Sequence, residues 1–234
     1  MPNLSNATGT ITITAENETI ARTFFNAYDH IASNWDYGTY IDSNDQTIDR
    51  TDNQYSISAS FTGAGRWAYS ENIPWTFTII TDEKYHDKLI EEELTILKNS
   101  TISVLYDFED FEAGQELLYT QTVKTTYNKG EITTEVLENT DLDYTLENLQ
   151  TYISNDFYGT TTFIEDIKNN PQNILNNAST NLKEKLTPIL THPILTQELL
   201  TNIQENLTND YPDWEREYWL DNWEDDIITL IPTK

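Results

Sequence analysis

Cysteine is absent from this 234-residue chain and methionine occurs once. Without cysteine there is no disulfide, no thiolate metal site and no thiol nucleophile, a composition that suits a reducing cytoplasm. Cations are scarce as well, nine Lys and four Arg. No stretch approaches about 18 consecutive apolar residues, so none reads as a membrane-spanning helix. The opening Met1-Pro2-Asn3-Leu4-Ser5-Asn6 carries neither a basic region nor an apolar run and does not read as a signal peptide.

Familiar catalytic motifs are missing too. Gly63-Ala64-Gly65 lacks the third glycine of a dinucleotide fingerprint and the Lys-Ser/Thr of a phosphate loop, so it reads as a turn. His30, His86 and His192 stand apart, without a Ser or Asp context for nucleophilic catalysis, and read as surface or helix residues. Asp42 to Asp49 faintly follows a calcium loop. Thr47 replaces the glycine of the sixth position and Asn53 the glutamate of the twelfth, so the segment reads as an exposed acidic loop. No cofactor and no metal site is expected.

What the chain does have is negative charge. Forty Asp and Glu give a net charge of −27 and a pI near 4.1. Duplex DNA carries one charge per roughly 1.7 Å of axis, so such a charge corresponds to about 46 Å of duplex. Charge of one sign at this density repels itself and opposes compaction. It also repels nucleic acid and anionic lipid, so neither is an expected direct partner. A basic protein is. Halophilic adaptation is a competing explanation, opposed by the excess of Lys over Arg and the abundance of Ile and Asn, which look like an AT-rich genome. Aromatic residues make up 12 % of the chain, with 14 Tyr, 8 Phe and 6 Trp, far too many for a disordered acidic segment.

Periodicity divides the chain. Residues 9–15, Gly-Thr-Ile-Thr-Ile-Thr-Ala, alternate with the two-residue period of a strand. Asn17 is a helix cap, and Ile20, Phe24, Ala27, Tyr28 and Ile31 keep helical spacing over 18–33. Strands are expected at 55–61, 75–79, 101–108, 116–127 and 131–137, with a charged helix over 82–99 and a hairpin turn at Asn128-Lys129-Gly130. This order predicts an α+β domain over 1–138, a ferredoxin-like β-α-β-β-α-β antiparallel sheet with an added hairpin. Residues 139–234 form a mostly helical acidic region, with helices over 142–154, 171–186, 193–207 and 212–228.

Three glycine-centred pieces carry a resemblance: Phe61-Thr62-Gly63-Ala64-Gly65-Arg66-Trp67, Ile102 to Gly114, and Tyr127-Asn128-Lys129-Gly130-Glu131. In this order they resemble a ferredoxin-like domain of uncharacterised accessory proteins of phages and conjugative plasmids, over residues 9–137. The resemblance implies a mobile-element protein in the cytoplasm of a bacterial host, a setting where inhibitors of host defence are common.

Two acidic–aromatic clusters are the candidate sites. The first runs from Tyr106 to Glu112 and offers Asp107, Glu109, Asp110 and Glu112. The second is the last helix, where Asp213, Glu217, Asp221, Glu224 and Asp225 share a charged face by the three-and-four rule, opposite a stripe of Trp219, Trp223, Ile227 and Leu230. Carboxylates on a rigid scaffold can stand where phosphates stand, with Trp and Tyr as anchors of a protein interface. The reading that follows is a non-enzymatic nucleic-acid mimic that blocks a basic, nucleic-acid-binding host protein, either a CRISPR effector or a restriction enzyme. Two alternatives remain. One is an accessory protein-interaction module whose acidity serves solubility only. The other is a carboxylate-based hydrolase, because paired carboxyl groups in an aromatic cleft are compatible with this composition.

Overall fold

The computed structural model describes residues 4–32, 37–51, 53–66, 68–82, 91–112, 116–153, 157–210, 219–220 and 223–232, with backbone alone for 207–210 and 219–220. The chain splits into two compact units, Met1–Tyr144 and Thr145–Lys234. The division expected after residue 138 falls inside a strand, Glu131–Asp141, whose last residue still pairs with Tyr119.

The first unit is α+β. Its elements are β1 (Leu4–Ala15), α1 (Glu18–His30), β2 (Thr39–Ile41), β3 (Thr47–Thr51), β4 (Gln54–Arg66), a 3-10 turn at Tyr69–Asn72, α2 (Ile73–Thr81), α3 (Glu91–Asn99), β5 (Thr101–Glu112), β6 (Leu117–Asn128) and β7 (Glu131–Asp141). The strands form one seven-stranded antiparallel sheet in the order β2-β4-β1-β5-β6-β7, with β3 also paired to β4. β1 is long because Thr and Ile alternate along it, and each Ile or Ala goes inward while each Thr goes outward. α1 starts where Asn17 accepts a hydrogen bond from the Ile20 N–H at 3.1 Å, the capping the sequence predicts.

The ferredoxin-like order is not confirmed, and the sheet is larger than that fold provides. The third strand it requires, at 75–79, is helix α2. The alternation there is deceptive. Pro74 opens a helix at its first turn, and Ile73, Phe77 and Ile80 are buried at helical spacing. The intervening threonines return their hydroxyls to carbonyls four residues back: Thr76 to Asn72, Thr78 to Pro74 and Thr81 to Phe77. Of the charged helix expected over 82–99, the described part is α3, and 83–90 lie outside the described residues. The acidic loop at Asp42 is an Asx turn, with the Asn44 N–H on Asp42 Oδ1 at 2.9 Å.

The core lies between the inner sheet face and the helices. Ile11, Ile13, Ile57, Val104, Tyr106 and Val123 meet Phe24 and Tyr28 of α1 and Phe77 of α2. Its aromatics are orderly. Phe77 stacks on Tyr127 with centroids 6.2 Å apart, and the buried hydroxyls of Tyr28 and Tyr106 bond at 2.5 Å. That contact satisfies two polar groups that would otherwise cost free energy in an apolar interior. Both phenols are pushed well above their ordinary pKa by burial.

Gly63 and Gly65, which the sequence suggests as a turn, lie inside β4 and make room for Tyr69. A Cβ on Gly63 would fall 2.2 Å from the Tyr69 ring, and one on Gly65 2.6 Å from the Tyr69 Cα. The ring packs on Phe61 and Phe108, and its hydroxyl bonds Thr39 Oγ1 at 2.7 Å.

The second unit comprises α4 (Leu146–Tyr152), β8 (Tyr158–Gly159), α5 (Thr160–Asn169), α6 (Pro171–Asn177), α7 (Thr180–Leu190), α8 (Pro193–Asp210), β9 (Trp219–Leu220) and α9 (Trp223–Leu230). The single helix expected over 171–186 is two. Ala178 is extended, and Ser179 caps α7 by accepting from the Leu182 N–H. The face named for that helix is nonetheless inward: Ile174, Leu182 and Leu186 pack with Leu199, Ile203, Trp223 and Ile227. The last helix does not run from 212 to 228. Gly159 pairs with Trp219 and Tyr158 with Leu220, so these residues are a strand, and the helix starts at Trp223. α5 and the β8–β9 pair are absent from the sequence reading.

Among the described residues no helix is long and apolar enough to cross a membrane. Gly63→Ala is expected to cost roughly 1–3 kcal/mol by overpacking against Tyr69. Urea denaturation checks this, and unchanged stability would mean that Tyr69 has room to move.

Candidate functional site

Strand phase decides what each carboxylate of the first cluster can do. β5 is paired on both sides, and residues two apart share a face. Asp107 and Glu109 point outward, while Asp110 and Glu112 are buried, Asp110 completely. The expectation of four exposed acids is thus corrected to two. Even numbers from Ile102 to Asp110 face the core, and the phase that buries Tyr106 and Phe108 also buries Asp110.

Buried Asp110 is a structural acceptor. It takes the Tyr69 N–H at 2.8 Å and the Tyr119 hydroxyl, both on Oδ2. Neither Oδ1 nor the neighbouring Ser5 hydroxyl reaches full hydrogen-bond geometry with a partner among the described residues. Burial raises the carboxyl above its ordinary pKa. The hydrogen bonds from Tyr119 and Tyr69, with smaller help from Ser5 and the Phe111 N–H, pull the other way without prevailing.

The outward face of the sheet is a field of hydroxyls with carboxylates on one side. On β1 it shows Thr8, Thr10, Thr12 and Thr14, matched across β4 by Thr62, Ser60, Ser58 and Ser56. Two of these pairs join directly, Thr12 to Ser58 at 2.8 Å and Thr14 to Ser56 at 2.9 Å. Beyond β1 the register sets Thr10 against Asp107, Asp107 against Thr122, and Thr122 against Glu138. The next row places Glu109 between Thr8 and Thr120. Thr122 donates to Asp107 Oδ1 at 3.2 Å and fixes that side chain. Glu109 is half-buried, and desolvation raises its pKa, with a smaller contribution from the charge of Asp107.

Two further acids join them from β7. Glu135 lies opposite Lys124, and Glu138 opposite Thr122. Residues three apart on a regular strand face opposite ways. Here the register shifts between Thr122 and Val123, leaving Leu137 as an extra residue, and this bulge returns Glu138 to the face of Glu135. At about 4.8 Å per strand, Asp107 and Glu138 are roughly 10 Å apart across Thr122. The patch is therefore Asp107, Glu109, Glu135 and Glu138, with Lys124 inside it. The even spacing of Glu131 and Glu135 is a sequence signal for part of it, whereas the bulge leaves none.

Apart from Lys124, two cations of this unit are engaged away from the patch. Two of the four arginines converge on Glu18. Arg22 Nε lies 2.8 Å from Oε1, and Arg50 bonds Oε2 while its guanidinium sits 5.0 Å from the Tyr55 ring centre. These contacts, the Arg22 hydrogen bond foremost, hold Glu18 below the usual carboxylate range.

In the second cluster, Asp213, Glu217 and Asp221 lie outside the described residues. Glu224 is half-buried and accepts the Ser179 N–H at 2.5 Å, tying α9 to the start of α7, while Asp225 is exposed. The strand at Trp219–Leu220 interrupts the helix that would have aligned all five.

A cavity of about 310 Å³ at one end of the sheet is lined by Thr14, Glu16, Gln54, Thr101 and neighbours, with a single carboxylate and no aromatic ring among the described residues. Among the described residues no group of three or more His, Asp or Glu could hold a metal ion. No family model matches this chain, and no curated protein or solved structure does either.

Folding favours the protonated form of Asp110, so its contribution is full below pH 3.8 and is lost as pH rises through the raised folded value. Asp110→Asn keeps a neutral acceptor at every pH. The stability of the variant relative to the native chain should therefore climb with pH above 3.8 and then level off, as read by urea denaturation across that window. A difference independent of pH would show that burial does not shift this carboxyl.

Proposed function

We propose that this protein is a non-enzymatic acidic ligand that competes with nucleic acid for a basic protein groove. The observation that supports this most is the grouping of Asp107, Glu109, Glu135 and Glu138 on one open sheet face, in a chain of net charge −27. The acids are held by strand pairing rather than by flexible loops, so little ordering is needed on binding. Surrounding Thr and Ser hydroxyls offer the polar contacts that sugar and base edges make in the natural ligand. Long-range attraction to an Arg- and Lys-lined groove would speed encounter.

A nuclease of host defence, either a CRISPR effector or a restriction enzyme, is the target class in keeping with the mobile-element resemblance. Open-face geometry also fits binding better than turnover. A carboxylate-based hydrolase needs two carboxyl groups about 5 to 10 Å apart around a substrate cleft, whereas Asp107 and Glu109 lie on the outward face of a sheet, one exposed and one half-buried.

Capture from nuclease-treated bacterial lysate tests the proposal. The expected result is a basic nucleic-acid-binding protein released by salt and displaced by added DNA. Combined Asp107→Lys, Glu109→Lys and Glu138→Lys should weaken its binding at least tenfold, about 1.4 kcal/mol. A partner indifferent to salt, to DNA and to these substitutions would overturn the reading in favour of an interaction module whose acidity serves solubility.

A further inference from the structure

β7 is the last strand of the sheet, and its far edge pairs with no other strand among the described residues. It is 11 residues long, and every residue but Ile132 is exposed. The turn before it fixes which backbone groups face that edge. Lys129 and Gly130 have φ of 51° and 95°, the two left-handed residues of a type I′ turn, so Asn128 and Glu131 close the hairpin as a hydrogen-bonded pair. Hydrogen-bonded and non-bonded pairs then alternate. Glu131, Thr133 and Glu135 direct their amides and carbonyls to β6, whereas Ile132, Thr134 and Val136 direct theirs to the free edge.

Natural edge strands are commonly protected by proline or lysine. β7 has neither. Its charges are Glu131, Glu135, Glu138 and Asp141, and the first three share the outward face. Two copies of β7 brought side by side would juxtapose like charges, which disfavours self-pairing. A strand with a cation at every second residue would meet them with opposite charge. Val136 and Leu137, 51 % and 47 % exposed, offer apolar contact at the same edge.

We infer that the free edge of β7 takes up an extended basic peptide segment as an added strand, with main-chain hydrogen bonds to Ile132, Thr134 and Val136 and alternate Lys or Arg side chains against Glu131, Glu135 and Glu138. The inference does not depend on nucleic-acid mimicry, which needs the charges but not the edge amides.

The test uses the full chain and a fluorescent peptide of about ten residues alternating Lys with Thr or Val, long enough for roughly 33 Å of edge. A second peptide has the same sequence with alternate amides N-methylated, so it keeps its charge and loses its strand donors. Binding of the first and at least tenfold weaker binding of the second are expected. Amide exchange should slow at Ile132, Thr134 and Val136, with Glu131, Thr133 and Glu135 as internal references already bonded to β6. Thr134→Pro, checked for retained fold by circular dichroism, should weaken the first peptide about as much as N-methylation does. Equal binding of both peptides with unchanged exchange at the three amides would overturn the inference, and so would no binding of the first peptide. Neither lysate nor nucleic acid enters this test, so its failure is separate from failure of the mimicry reading.

Discussion

A strand paired on both sides has no freedom over the direction of its side chains, and that constraint organises the first unit. Along most of β1, β4, β5 and β6 alternate residues are accepted by the core and the intervening ones are delivered to the open face, the buried cross-strand pair of Phe111 and Leu118 being an exception. The core side is demanding. It takes Ile, Val and aromatic residues, asks for glycine beneath Tyr69, and holds the Asp110 carboxylate where Tyr69 and Tyr119 bond it. The outer side is permissive, and there the chain places hydroxyls and acids. Net charge of −27 is compatible with a packed interior because the two populations never exchange faces without a shift of register.

The same rule explains what could be read from the sequence. β1 and β4 are visible because Thr-Ile-Thr-Ile and Tyr-Ser-Ile-Ser alternate without interruption, and α1 because Asn17 supplies a cap and Phe24 and Tyr28 keep helical spacing. Asn128-Lys129-Gly130 announces its turn through the one residue that tolerates a φ of 95° without strain. α2 is hidden because Trp75-Thr76-Phe77-Thr78-Ile79 alternates like a strand. The signals that override it are Pro74 and the pairing of Ile73 with Phe77 four residues on, together with hydroxyl bonds that no pattern reveals. β9 is hidden for another reason: its partner is some 60 residues earlier in the chain, and two-residue strands have no period.

The candidate site was half legible. Composition marks Tyr106 to Glu112 as acidic and aromatic, and strand phase, once the strand is known to reach Glu112, divides the acids into Asp107 and Glu109 outside and Asp110 and Glu112 inside. Glu135 and Glu138 escaped notice because a cluster assembled across strands is contiguous only in space. Their common orientation further depends on one bulged residue, Leu137, that looks like any other leucine in the sequence.

That residue acts as a phase changer. On the Glu131 side of Leu137 odd-numbered residues face outward, and on the Asp141 side even-numbered ones do. A single insertion or deletion early in β7 would therefore move the acids beyond it to the opposite face, whereas a substitution alters one position only. The strand encodes its charge display in a reading frame, and homologous chains would be expected to keep its length more strictly than its amino acids.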